Sequence, residues 1–188
     1  TPEHEILKLD SLGNEQFRFS NNRLGDIASF DASNPFNLLV FYKDFNVVKS
    51  LDRTLTESGE FNLFEAGIFQ TPCVGISADK NLWVYDRDNF QLKKIDKNGK
   101  VIVESRQLNL LFDKILEPNV VKEIGNYVYL LDNKEGIWIF DIYGRFINSF
   151  FLKASGFYPE FTSGFFADER FFYFMSEKAL IKFFPTLP

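Results

Sequence analysis

The chain has 188 residues, of which 45% are hydrophobic and 18% aromatic, and its 21 basic and 26 acidic side chains give a net charge of −5. This length suffices for one domain with a sizeable core, and no apolar run reaches the roughly 18 to 20 residues that a membrane-spanning helix needs. The acidic balance, without a Lys/Arg cluster, excludes a nucleic-acid partner, because phosphate recognition requires a positive surface. A single cysteine, Cys73, excludes an intrachain disulfide; its place at the start of a strand indicates a small buried apolar residue rather than a nucleophile.

Strand-like runs separated by Asp-x-x-Gly turns follow one another along the chain. Asp10, Asp96 and Asp141 each begin such a turn, and Asp52 begins a copy that lacks the glycine. These positions are 42, 44 and 45 residues apart, and a further 43 residues lead to Phe184. A motif that returns at this spacing indicates a repeat protein.

Two further features recur with the same period. Pro72, Pro118 and Pro159 lie 24, 23 and 25 residues before positions 96, 141 and 184, and each opens an apolar stretch, as a proline at the start of a strand does. Aromatic runs lie in the middle of each unit, at residues 81–86, 127–132 and 171–176, with 38–44 as their counterpart in the degenerate copy. One unit is therefore predicted to contain four short strands joined by turns.

Four short antiparallel strands in about 43 residues predict one blade of a β-propeller, in an all-β chain. Each blade buries both faces against its neighbours, which accounts for apolar residues on both faces of the middle strands. We expect a single propeller domain over residues 1–188, with blade units at about 1–21, 22–65, 71–109, 116–153 and 157–186. The first and last units are partial, so about four and a half blades are present. Because ring closure removes exposed strand edges, we expect an N-terminal portion beyond this sequence and a complete ring of five or six blades.

The repeated pattern of an aromatic strand, a Lys-rich strand and a turn, as in LWVYD followed by LKKID-x-x-G, resembles the NHL or YWTD-like group of β-propellers. The resemblance covers essentially the whole chain, whereas the Gly-His and Trp-Asp dipeptides of WD40 repeats are absent. Because that group is found in bacterial cell-envelope and secreted proteins, the resemblance implies a periplasmic or extracellular location.

Loops from every blade of a propeller converge at one end of the central channel, and ligands usually bind there. The residues that lead into the innermost strands are therefore the candidate binding residues. They are Arg23, Gln70, Thr71, Glu117, Asn119 and Glu160. The alternative is that these are ordinary solvated loop residues.

Other polar groups are predicted to be structural. The repeated aspartates at positions 10, 96 and 141 occupy equivalent places on separate blades and are predicted to be turn residues. Residues 86–89, DRDN, space oxygen ligands as calcium loops do but lack the following glycine and the later glutamate, so a hairpin turn is predicted. His4, the only histidine, is expected at the surface near the start of a strand. No phosphate-binding glycine loop occurs, and no metal or cofactor is predicted.

Residues 165–184 contain seven Phe and one Tyr. Two interpretations remain open for this segment. Its rings pack between blades, or the edge of the last blade docks against a missing blade or another protein.

The leading functional hypothesis is a non-catalytic binding or scaffolding propeller of the bacterial cell envelope that contacts a protein or a glycan. The alternative is a carbohydrate-active enzyme, a glycoside hydrolase or lyase, in which Glu117 and Glu160 are the carboxylates and Tyr158 stacks on the sugar. That alternative requires the two acids within about 10 Å of each other. A third hypothesis is a calcium-stabilised structural propeller, whose melting temperature would fall on chelation.

Overall fold

The computed structural model describes residues 4–32 and 34–150 in full, and the backbone alone of residues 151, 161–167, 172–176 and 180–183. Seventeen strands in this part of the chain form five antiparallel sheets, numbered blades 1 to 5 in chain order. Within each blade, every strand pairs with the next one in the sequence. The prediction of an all-β fold with four-stranded antiparallel blades is confirmed.

The strands are distributed over the blades as follows. Blade 1 contains β1 (Glu5–Leu9) and β2 (Glu15–Ser20). Blade 2 contains β3 (Ser29–Asp31), β4 (Leu38–Tyr42), β5 (Val47–Leu51) and β6 (Glu57–Asn62). Blade 3 contains β7 (Val74–Ile76), β8 (Leu82–Asp86), β9 (Gln91–Ile95) and β10 (Val101–Glu104), after which a short helix α1 (Leu108–Phe112) leads on. Blade 4 contains β11 (Val120–Ile124), β12 (Tyr127–Asp132), β13 (Gly136–Asp141) and β14 (Phe146–Phe151), and blade 5 contains β15 (Phe161–Ala167), β16 (Phe172–Ser176) and β17 (Leu180–Phe183).

The core consists of layers between neighbouring blades, and strand β8 shows how they form. Trp83 and Tyr85 pack into one cluster with Trp138 of blade 4, whereas Leu82 and Val84 pack into another with Phe41 of blade 2. All five side chains of β8 are buried, because successive residues point to opposite faces and each face meets a blade. Burying each large apolar side chain stabilises the fold by about 1.5 to 3 kcal/mol, so the aromatic-rich middle strands hold the blades together.

Strands β7 and β11, the first strands of blades 3 and 4, approach each other closely. A Cβ atom at Gly75 would collide with the backbone carbonyl oxygen of Val121. Gly75 is therefore required by the contact between the blades, since a glycine inside a strand marks a close backbone approach. The first strands of blades 3 and 4 are therefore in direct contact.

The aspartates of the repeat share one hydrogen-bond pattern, as predicted for turn residues. In each copy, Oδ1 accepts the N–H groups two and four residues later; the aspartates are Asp10, Asp52, Asp96 and Asp141. The residue three positions later has a positive φ, which glycine adopts freely in three copies. In the copy at Asp52, Leu55 takes this position with φ of 60°. Its side chain is buried in the core, so a leucine stands where the other copies have the glycine of the motif.

The structure also tests the predictions for the DRDN turn and for Cys73. Residues 86–89 form a hairpin turn, in which the buried Asp86 accepts the N–H groups of Asp88 and Asn89 and pairs with Lys93 at 2.7 Å. Cys73 is buried as expected, and burial raises the pKa of its thiol. No helix in the described ranges is long and apolar enough to cross a membrane. The question of how the side chains of residues 165–184 pack falls outside the described residues.

Candidate binding site

One end of the blades is formed by the turns between their second and third strands, together with the segments that lead into the next blade. Hydrogen bonds connect these parts at each of the two boundaries between blades 2, 3 and 4. Asn46 Nδ2 donates to the carbonyl oxygen of Ile68 at 2.7 Å, the Arg87 N–H donates to that of Gln70 at 2.9 Å, and the Glu117 N–H donates to Asp132 Oδ2 at 2.7 Å. We call this end the mouth.

A cavity of about 130 Å³ opens at the mouth between blades 2 and 3. Two of the predicted residues, Gln70 and Thr71, line it. The other lining residues are Lys43, Asn46, Phe69, Pro72 and Arg87. Thr71 is 2% exposed, and its hydroxyl oxygen is buried without a hydrogen-bond partner among the described residues. An unpartnered buried hydroxyl is costly, so this atom retains an unused hydrogen-bonding capacity in a residue that lines the cavity.

An ion-pair chain crosses the next boundary, between blades 3 and 4. Glu117 Oε1 lies 3.2 Å from the Arg87 guanidinium, and its Oε2 lies 3.0 Å from the Lys134 ammonium. The hydrogen bond from Lys134 lowers the pKa of Glu117, and Glu117 raises that of Lys134. All three side chains are about half exposed or more, so the pairs contribute little to stability.

Three basic residues of the mouth, Lys43, Arg87 and Lys134, were not among the predicted candidates. Lys43 and Arg87 each follow directly on the second strand of a blade, and Lys134 follows one residue later. A signal for them was present in the sequence, because the repeat places a basic residue in the turn after the second strand of each of three units. It is weak, since a lysine or arginine in a turn is usually no more than a solvated residue.

The remaining predicted residues are less closely connected to the cavity. Asn119 is exposed, and its N–H donates to the carbonyl oxygen of Leu131 at 2.9 Å. Arg23 is exposed, its N–H donates to Asn21 Oδ1, and its guanidinium forms no ion pair with the described residues. Glu160 and Tyr158 lie outside the described residues.

His4 precedes β1, near the start of a strand as expected. Its Nδ1 lies 3.2 Å from the carbonyl oxygen of Gly25 and 3.0 Å from Asp26 Oδ1, and its side chain is 43% exposed. These contacts tie the segment before β1 to the loop that leads into β3. They do not include the residues that line the cavity.

The ion pairs of Glu117 limit the chemical roles that its carboxylate can take. A general acid needs a raised pKa so that it holds a proton near neutral pH, whereas the two cations keep Glu117 ionised. The cavity next to it offers cations, an amide and a hydroxyl. These groups donate hydrogen bonds to a bound acceptor.

No protein-family profile matches the chain, and a search of curated proteins finds no match. Solved structures do match it. Catalytically inactive virginiamycin B lyase from Staphylococcus aureus with quinupristin is 13% identical, with a TM-score of 0.59 over 98% of this chain and 64% of that one. A streptogramin B lyase is 13% identical, with a TM-score of 0.61 over 99% and 63%. A protein of unknown function from Bacteroides caccae is 10% identical, with a TM-score of 0.69 over 97% and 72%.

At these identities the likeness shows the fold alone. The chain spans less than two thirds of the length of the lyase structures that it matches. The shared feature is the succession of four-stranded antiparallel blades. The chain therefore has a β-propeller fold.

Proposed function

We propose that this chain is part of a non-catalytic binding propeller of the bacterial cell envelope, which contacts a glycan or a protein through its mouth. The observation that carries the proposal is the cavity between blades 2 and 3. It combines the buried, unpartnered hydroxyl of Thr71 with the amide of Gln70 and with two cations. Such a set of converging polar groups in a concave site is typical of ligand binding.

The envelope location is supported by the resemblance to NHL or YWTD-like propellers. The repeated LWVYD and LKKID-x-x-G pattern carries that resemblance.

A glycan fits the cavity well because an exposed aromatic ring stands at its edge. Phe69 is 62% exposed and packs against Phe64, with ring centroids 6.1 Å apart. Aromatic faces beside hydrogen-bonding groups suit the apolar face and hydroxyls of a sugar. The proposal therefore takes a glycan as the first ligand class to test and a protein as the second.

The second candidate is a carbohydrate-active enzyme, a hydrolase or lyase. The structural likeness to two lyases favours it, one of them described as a catalytically inactive histidine-to-alanine variant. In this chain the only histidine, His4, pairs with Asp26. Because two cations keep Glu117 ionised, its role in such a reaction would be that of base or nucleophile and not that of the general acid.

The test is a glycan array and an envelope pull-down with the full-length protein. Replacement of Gln70 and Arg87 by alanine removes donors from the mouth, and we expect it to abolish capture of the partner. Lys97→Ala, in the turn between β9 and β10 on the opposite end, is the matched control and should retain the partner. Retention by every variant would show that the mouth is not the binding site. Turnover of a captured glycan would instead favour the enzyme.

A further inference from the structure

Two neighbouring inter-blade positions of the mouth can be aligned residue by residue. Pro72 and Pro118 occupy the same place in successive repeats, two residues before β7 and β11. The residues before them, Thr71 and Glu117, are therefore equivalent. Each position lies between the basic turn residues of two blades.

The position of Glu117 is occupied by a carboxylate of the protein itself. Its oxygens pair with Arg87 on one side at 3.2 Å and with Lys134 on the other at 3.0 Å. A single carboxylate thus bridges the turns of blades 3 and 4. This arrangement shows which chemical group suits the space between two such turns.

The position of Thr71 also lies between two basic turn residues, but it is buried and carries no acid. Lys43 and Arg87 line the cavity from the turns of blades 2 and 3, and the Lys43 ammonium forms no ion pair among the described residues. The hydroxyl of Thr71 is buried and unpartnered. A cavity of about 130 Å³ lies beside this shorter side chain.

We propose that this cavity binds a carboxylate carried by the ligand, in the place where Glu117 supplies one in the next repeat, and that the ligand is a glycan containing a uronic acid. This inference rests on the proposed binding function and specifies its ligand class. The carboxylate accepts hydrogen bonds from Arg87, Lys43 and the Thr71 hydroxyl, and the sugar ring lies against Phe69. Arginine favours this group, because its planar fork matches a carboxylate with two parallel hydrogen bonds.

The small volume of the cavity supports a single charged group with a ring beside it. The arrangement places charge recognition inside and an apolar face at the rim, where Phe69 is 62% exposed. A uronic acid has both features, a carboxylate and a ring with an apolar face. A peptide carboxylate shares the charge but needs no aromatic platform, and titration with both kinds of ligand separates the two.

The first experiment follows the backbone amide signals of the isotope-labelled protein by NMR during titration with methyl glucuronide. Methyl glucoside, which has the same ring without the charge, is the matched ligand. We expect saturable shifts at Thr71 and Arg87 with the glucuronide and at least about tenfold weaker binding of the glucoside, since removing a charge-assisted hydrogen bond weakens binding by about a factor of ten or more. Equal binding of both sugars would overturn the carboxylate inference while leaving a glycan-binding function in place.

Variants separate the roles of the two positions. Thr71→Glu supplies the missing carboxylate from the protein, so it should abolish glucuronide binding, whereas Thr71→Ser keeps the hydroxyl and should preserve it. Lys43→Gln, at an exposed residue, should weaken binding at least about tenfold, and it tests the inference even if Thr71→Glu fails to fold. Glu117→Thr should create a second site, seen as new shifts at Lys134.

Two other results would also contradict the proposal. Tighter binding of an acetylated dipeptide with a free carboxylate than of the glucuronide would overturn the glycan class. Shifts confined to residues outside the cavity, or none with any of these probes, would overturn the inference as a whole. The pull-down with the full-length protein would then still decide separately whether the mouth binds another partner.

Discussion

Two glutamates six residues apart, Glu117 before β11 and Glu123 near its end, show how differently the two ends of the blade 3–blade 4 boundary are built. Glu123 is 5% exposed and accepts hydrogen bonds from the Ser77 hydroxyl at 2.6 Å, the Ala78 N–H at 2.8 Å and the Trp83 indole at 2.5 Å. The side chain of Glu117 is 49% exposed and pairs with Arg87 and Lys134 at the mouth.

The difference indicates that the two ends have different roles at this boundary. The Glu123 carboxylate reaches from blade 4 into blade 3, where buried donors and the nearby Lys94 satisfy it, so it fastens the two blades together. The ion pairs of Glu117 are solvated, and a competing anion can replace them at little cost. At this boundary the buried carboxylate lies at one end and the exposed ion pairs lie at the mouth.

Replacing Glu123 by alanine should cause the largest loss of stability among these substitutions. The change leaves the indole N–H of Trp83 and the hydroxyl of Ser77 buried without their acceptor. We expect the free energy of unfolding to fall by about 3 kcal/mol. Denaturant unfolding followed by tryptophan fluorescence measures it.

Glu117→Ala is the matched control, because it removes the same side chain at the other end of the strand. Its unfolding curve should overlay that of the wild type. Equal destabilisation by the two substitutions would contradict the division between the ends.

Gly75→Ala should rank second. The added methyl group would meet the carbonyl oxygen of Val121, and the rigid backbone of β11 must move to admit it. We expect a loss of about 2 kcal/mol in the free energy of unfolding. Gly59→Ala, at a strand position where the nearest atom is 3.8 Å away in Ser50, is the control and should be tolerated. If both substitutions were harmless, the close approach of β7 and β11 would be wrong.

The repeat could be predicted from the sequence because its signals are local. Turn aspartates, positive-φ glycines and aromatic middle strands need only their neighbours, so the four-stranded antiparallel blades followed from their spacing. Glu123 could not be identified, since its segment VVKEI reads as an ordinary strand and its partners Ser77 and Trp83 lie 46 and 40 residues earlier.

The site was predictable only in part, for the same reason. Gln70, Thr71 and Glu117 were chosen as candidates because of their position before a first strand. The pairing of Glu117 with Arg87 and Lys134 depends on how neighbouring blades are placed, which no local pattern contains. The empty space beside Thr71 depends on the length of a side chain relative to its counterpart in the next repeat.

A smaller effect is expected at Asp141, on the turn that leads from β13 to β14. Its carboxylate accepts the N–H groups of Tyr143 and Arg145 and the Arg145 Nε at 2.7 Å. Asp141→Ala should lower the free energy of unfolding by about 1 kcal/mol, and Asp141→Asn by less, because the amide oxygen still accepts the N–H bonds. A comparison of melting temperatures measures the difference. An asparagine variant as unstable as the alanine variant would show that charge, rather than the turn, is what matters there.

The smallest change in stability is expected for Glu117→Gln, whose effect should instead be seen in titration. The hydrogen bond from Lys134 and the charge of Arg87 lower the pKa of Glu117 in the folded chain. A lowered folded-state pKa gives a contribution that is present above the unfolded-state pKa and is lost as the pH falls through the folded one. Because the group is exposed, this contribution is slight, so unfolding near neutral pH should be unchanged in the variant.

The pKa of Glu117 itself is the sensitive measurement, and carboxyl ¹³C NMR of the wild type reports it. Lys134→Gln should move it upward, towards the ordinary value for glutamate, whereas Lys97→Gln, on the opposite end, should leave it unchanged. The direction is a consequence of the pairing alone, since losing a neighbouring cation makes the ionised carboxylate less favourable. A pKa insensitive to Lys134 would mean that the bridge across blades 3 and 4 does not form in solution, and the comparison from which the empty position at Thr71 was inferred would lose its occupied counterpart.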